Sequence, residues 1–260
     1  MNYANNTIFN ILAILGALAW MPFIIQLIRE KIKKPKLKIF SENQIEIGYT
    51  SLGPILNIDL AFLAQNKSAL VDKITLELIH KSQERQNFVW IWFEESLLQM
   101  ELPKTPIKYK KNQKAIALNV QLDTLIEKKI GFQSALFKSE SEKIIKNLYE
   151  DRLNLGNSGK NIEEIKSYSN YNNAMDYAGN SFPWKIGVYK ANFTVHISET
   201  NISFSHSFNF EISNLDVKVL HKNIDIIKAS FENAFIKQNE ELTPEWEWVH
   251  INKLSQPEEV

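Results

Sequence analysis

The alternation of apolar and polar side chains from Lys190 to Ile212 constrains this chain more than any other feature. Ala191, Phe193, Val195 and Ile197 fall on one face of a strand, with Lys190, Asn192, Thr194 and His196 on the other. Beyond Glu199, Thr200 and Asn201, the next run puts Ile202, Phe204, Phe208, Phe210 and Ile212 on one side. Ser203, Ser205, Ser207, Asn209 and Glu211 occupy its other side. Period two with one apolar face reads as an antiparallel hairpin lying on a core. The rhythm recurs at Leu56, Ile58, Leu60 and Phe62, at Ile74, Leu76 and Leu78, and at Ile116, Leu118, Val120 and Leu122. Residues 88–93 (FVWIWF) form a continuous apolar run suited to a central strand. Ser41-Glu42-Asn43-Gln44, between Leu37-Lys38-Ile39 and Ile45, reads as a hairpin turn. These strands predict a mainly β fold, a Greek-key β-sandwich over residues 39–250.

Two helical stretches interrupt the strands. Ser139-Glu140-Ser141-Glu142 has the form of a capping box, with Ile144, Ile145, Leu148 and Tyr149 on one stripe behind it. It opens a helical and loop insertion over about 139–180, whose part after Asn157 turns rich in Ser, Asn and Tyr and reads as a flexible linker or a contact loop. A second helix is expected over about 216–237, aligning Leu220, Ile224, Ile227, Phe231 and Phe235. Residues 251–260 read as a frayed tail. The strand rhythm resembles that of immunoglobulin-like and arrestin-like sandwiches, and this resemblance implies a fold without a function.

No charged side chain occurs from Met1 to Ile28. Residues 8–28 (IFNILAILGALAWMPFIIQLI) would make a helix about 31 Å long, matching a ~30 Å hydrocarbon layer. Twelve of these residues are Ile, Leu or Phe, which together favour insertion by about 5 kcal/mol. A single transmembrane helix is therefore expected, after a short external segment 1–7. A buried helix is the competing reading, and a signal peptide cut after Ala19 is another. The next ten residues, 29–38, carry six cations (Arg29, Lys31, Lys33, Lys34, Lys36 and Lys38) and one anion. That bias predicts a cytoplasmic domain at the inner membrane and contact with anionic headgroups.

Across all 260 residues, 30 cations balance 30 anions; outside residues 29–38, 24 cations face 29 anions, a net charge of −5. That balance argues against a nucleic-acid partner. The one basic exception is residues 104–114, where Lys108, Lys110 and Lys111 stand with Lys104 and Lys114 and no acid. It reads as a solvated loop or a second leaflet contact. With 27 Lys, 26 Asn and 32 Ile but three Arg, the composition suggests an AT-rich bacterial coding sequence.

Cysteine is absent, which excludes disulfides, thiolate metal sites and cysteine nucleophiles. No phosphate-binding glycine loop, HExxH or GxSxG pattern occurs. The five histidines have no close metal-ligand spacing, so neither a metal nor a cofactor is expected. His206 interrupts an apolar face between Phe204 and Phe208, the position of a hydrogen-bonded core histidine, a ligand contact or a pH sensor. Trp90 with Trp92, and Trp246 with Trp248, should each share a strand face. The first pair reads as core. Trp246 and Trp248, with Tyr168, Tyr171 and Tyr177, are candidate partner contacts, since such aromatics anchor interfaces. Together these features predict a non-enzymatic, membrane-anchored binding or scaffold protein with a membrane-associated protein partner. The alternatives are a lipid-surface domain and an enzyme with an unrecognised site.

Overall fold

In a computed structural model, the structure describes residues 16, 18–29, 31–102, 105–158, 161–198, 202–237 and 244–254. The strands are β1 (Lys36–Thr50), β2 (Gly53–Gln65), β3 (Ala69–His80), β4 (Arg85–Leu102), β5 (Thr105–Lys114), β6 (Leu118–Val120) and β7 (Leu125–Ser134), then β8 (Gly187–Ile197), β9 (Ile202–Ile212) and β10 (Trp248–Leu254). Between β7 and β8 come α1 (Ala135–Asn157), a 3-10 turn (Ile162–Ser167) and α2 (Ser169–Asn180). Between β9 and β10 lie α3 (Asn214–His221), α4 (Asn223–Glu232) and a π turn (Asn233–Lys237).

The strands close into an antiparallel barrel, not the expected immunoglobulin-like sandwich. Eight strands form the ring in the order β4-β7-β2-β1-β10-β9-β8-β3, and β3 pairs back onto β4 through Thr75↔Val89 to Ile79↔Arg85. Period-two alternation is the same in both architectures, so only the closing pairs separate them. One of those pairs joins β1 to β10, 200 residues apart in the chain, and local pattern carries no signal for it. Closure satisfies both edges of the sheet, which a sandwich leaves open. Inward residues of all eight strands, Ile47, Leu60, Leu76, Phe88, Phe132 and Phe193 among them, fill the ring as one core.

Two irregularities change the expected faces. Ser41-Glu42-Asn43-Gln44 is no hairpin turn; β1 runs through it with a bulge. Ser41 pairs with Leu60 and Ile45 with Ile58, so three residues of β1 face Asp59 alone. In β4 an extra residue lies between Trp90 and Trp92, which pair with Phe132 and Gly131. The bulge flips the phase: Trp90 and Phe93 point into the core, while Trp92 lies outside over Gly131. The two tryptophans therefore do not share a face.

No helix among the described residues is long and apolar enough to cross a membrane, which corrects the expected transmembrane helix. Of the expected span, residues 8–15 and 17 lie outside the described residues, as does the segment 1–7. Residues 18–29 are helical, about 18 Å of helix against a ~30 Å layer. Their side chains are exposed, Trp20, Phe23, Ile24 and Ile28 among them.

The helices also depart from expectation in detail. α1 begins directly off β7, where Ser134 caps it by accepting from the Phe137 N–H. Ser139 and Ser141 donate to carbonyls three residues back and make no capping box. The Tyr/Asn-rich stretch is helical, as α2, and packs with α1 and the π turn around Leu148, Leu155, Ile165, Ala174, Phe235 and Ile236. The strand β10 continues through Leu254, and residues 255–260 lie outside the described residues.

The register gives the barrel two unlike ends. One is ringed by the β1–β2 turn, the β3–β4 turn, the end of β7 and the starts of β8 and β10, and every helix after β7 leaves from or returns to it. The other is ringed by Lys36 and Gln65, which pair, by Ala69 and Leu125, and by Ile197 and Ile202, the paired ends of β8 and β9. There the chain enters from residues 18–35. Past Phe93, β4 leaves the wall and pairs with β5, and this ribbon runs toward the same open end.

Candidate functional site

The β1 bulge and the last turn of β10 build a polar cluster inside the open end. Ser41 keeps the inward phase of Leu37 and Ile39, and Lys253 that of Val249 and Ile251. His206 takes the inward phase of Phe208 and Phe210. Lys253 Nζ donates to Ser41 Oγ at 2.6 Å, and Ser41 Oγ lies 2.9 Å from His206 Nε2. Lys253 Nζ also sits 4.1 Å from the centre of the Phe208 ring, a cation–π contact. Burial pushes the Lys253 ammonium down to about 8, against a smaller pull upward from the Glu42 carboxylate. His206 is held below its ordinary value, first by burial and then by the Lys253 charge. All three side chains are half-buried, so each keeps some contact with water, and Ser41 also borders the cleft described next.

On its outer side the same bulge lines a cleft of about 450 Å³, with Phe40, Glu42, Asp59, Ala61 and Glu127 in its wall. The Asp59 carboxyl is raised by burial and then by its hydrogen bond to Glu42. Bulges next to binding sites commonly re-aim side chains in this way. Among the described residues, no group of three or more His, Cys, Asp and Glu is arranged to hold a metal ion.

The aromatic candidates fall at the capped end. Trp248 lies over Gly48, where an added Cβ would come within 2.6 Å of the ring. Trp246 packs against the barrel core, and Asn223 clamps the chain beside it: its Nδ2 donates to Glu247 O at 2.7 Å, and its Oδ1 accepts from Glu247 N at 2.8 Å. Tyr168 and Tyr171 pack on the small core of the helices. Tyr177 lies against Phe137 and donates to Glu140 at 3.1 Å. All five are half-buried. Arg29, Lys31, Lys33, Lys34, Lys36 and Lys38 are exposed at the open end. Lys108, Lys110 and Lys111 fall in β5, a strand where a loop was expected, and their side chains lie outside the described residues.

His206 was visible in the sequence as an interruption of an apolar face. Ser41 was hidden in an expected turn and Lys253 in an expected tail. The phase of Val249 and Ile251, carried two residues further, was the signal that points Lys253 inward.

No family model matches this chain, and no curated protein matches it. Similar solved structures include a family 123 glycoside hydrolase from Clostridium perfringens, at 13% identity and a TM-score of 0.32 over 69% of this chain and 27% of that one. Another is Spo0M, a sporulation control protein from Bacillus subtilis, at 9% identity and a TM-score of 0.28 over 78% of this chain and 56% of that one. The chain thus spans about a quarter and about half of those two proteins. At these scores neither fold nor function transfers.

Proposed function

We propose that this chain is a non-enzymatic binding or scaffold protein, attached to the cytoplasmic leaflet of the inner membrane and presenting its barrel to a membrane-associated protein partner. The observation that carries the reading is the placement of opposite surfaces at opposite ends. The exposed apolar residues 18–28, the cations of 29–38 and the lysine ribbon lie toward the open end. The helices crown the other, where α1 exposes Ile145, Tyr149 and Leu153 at a spacing of four residues, one stripe of the helix. Held on a surface by one end, the barrel offers the other at a raised effective concentration to anything else confined there.

Crosslinking of the full chain in its own membranes tests this, read beside an Ile145→Glu/Leu153→Glu variant. A partner that crosslinks to the unaltered chain and is lost from the variant supports it. A crosslinking pattern that ignores the stripe sinks it.

A lipid-surface-binding domain is the second reading, favoured by Phe40, Leu70, Leu122 and Leu125, which are exposed around the open end among the lysines. It predicts flotation of the chain with anionic vesicles and release by salt, since exposed charges are screened beyond ~10 Å at 0.1 M salt.

A further inference from the structure

We infer that Ser41, His206 and Lys253 form a binding site for a small oxyanion of the phosphate class in the open mouth of the barrel. Every other inward position at this level of β1, β9 and β10 is apolar: Ile39, Phe204, Phe208 and Ile251. A cation in such a ring is expensive unless something compensates it. Among the described residues, no carboxylate comes within ion-pair distance of Lys253. Its charge rests on a hydroxyl and on the Phe208 ring, and Glu42 acts on it only from further off.

The hydrogen-bond inventory points the same way. With Lys253 charged and His206 neutral, the ammonium, the hydroxyl and the imidazole carry more polar hydrogens than the serine oxygen, one ring nitrogen and a phenyl face can accept. A surplus of donors around an uncompensated cation suits a ligand made of acceptor oxygens. A phosphate oxygen at the mouth would take a second ammonium hydrogen and the Ser41 hydroxyl hydrogen, which is free when His206 Nε2–H donates to Ser41 Oγ. It would supply the missing negative charge without ordering new side chains, because the contacts at 2.6 and 2.9 Å already hold the three groups together. The mouths of β-barrels are a common place for such sites.

The source of the oxyanion is either a phospholipid headgroup or a free phosphate ester. The headgroup rests on the proposal that the open end faces the leaflet; the site itself does not. The charged and titratable groups acting on Lys253 are Glu42 from β1 and His206 from β9. Affinity should therefore hold near neutral pH and fall above about 8, as the ammonium loses its proton.

The test is a titration of the full chain in neutral detergent, followed by histidine-selective nitrogen NMR. Inorganic phosphate, a short-chain phosphatidylglycerol and a short-chain phosphatidylcholine serve as probes, and His206→Gln assigns the reporting resonance. Phosphate should shift the His206 signal saturably. Lys253→Met, which keeps the stem over Phe208, should weaken binding about tenfold or more. Ser41→Ala should weaken it about threefold, and Lys218→Met on α3 should leave it unchanged. A response to both phosphate and phosphatidylglycerol supports the site with headgroups in reach. A response to phosphate alone supports the site and removes the leaflet-facing orientation. No saturable shift with any probe, or equal affinity in Lys253→Met and the unaltered chain, overturns the site.

Discussion

The two ends of the barrel solve the problem of finishing a ring of strands in opposite ways. At the capped end the deeply buried polar aromatics Tyr49, Trp184 and Tyr189 each have a partner inside the protein. Tyr49 donates to the carbonyl of Ala178 at 2.8 Å, Trp184 donates to that of Gly48 at 3.0 Å, and Tyr189 accepts from the Lys185 N–H at 2.8 Å. At the open end the inward polar groups satisfy one another only in part, and they include a cation. The capped end follows the ordinary rule that buried polar groups are paired. The open end leaves donors for something that arrives later, and such departures from consistency collect at binding sites.

The contrast can be broken most severely at the cap. Trp184 is 2% exposed and stacks on Phe88; Trp184→Ala should lower the unfolding free energy by about 3–5 kcal/mol in urea titrations. A loss under about 1 kcal/mol would mean that the cap is not packed as described. Gly48→Ala comes next: the new methyl meets the Trp248 ring, and overpacking of this kind costs about 1–3 kcal/mol. Tyr49→Phe removes one buried hydrogen bond and leaves the Ala178 carbonyl without it, about 1 kcal/mol by the same measurement.

The smallest effect belongs to the mouth and is read through pH. Lys253 is lowered from 10.5 to about 8, so above that value the folded chain sheds a proton that the unfolded chain still holds. Its contribution to stability therefore rises between about 8 and about 10. Above 10 the sign reverses, because Tyr177 and Tyr189 are pushed up to about 12 by burial and the unfolded chain ionises first. Denaturation midpoints stepped through this range should show the rise in the unaltered chain and lose it in Lys253→Met. The same rise in both would assign it to another group.

The sequence showed the strands more fully than their assembly. The alternation at 191–197 and 202–212 is the pairing of β8 with β9, since register within a hairpin is a local matter. Ring closure depends on β1 meeting β10 and β3 meeting β4, and no nearby residues encode the first of these. At the candidate site, His206 stood out because a polar group broke an apolar phase. Ser41 did not, because Ser-Glu-Asn-Gln has the composition of a turn, and a bulge uses the same polar residues to leave and rejoin a ladder. Trp90 and Trp92 failed for a related reason, a single extra residue that shifts the phase of β4.

The proposed orientation at a lipid surface would give the two ends different work, and it can be measured directly. The chain has no cysteine, so one introduced at Leu70 or Leu122 at the open end, or at Leu136 or Leu215 at the capped end, takes a unique spin label. All four side chains are exposed. On vesicles containing anionic lipid, the first two labels should be relaxed by oxygen dissolved in the lipid and shielded from an aqueous nickel complex, and the last two should behave in reverse. Labels at Leu136 and Leu215 lying nearer the lipid, or all four equally accessible from water, would contradict the assignment of the open end to the leaflet.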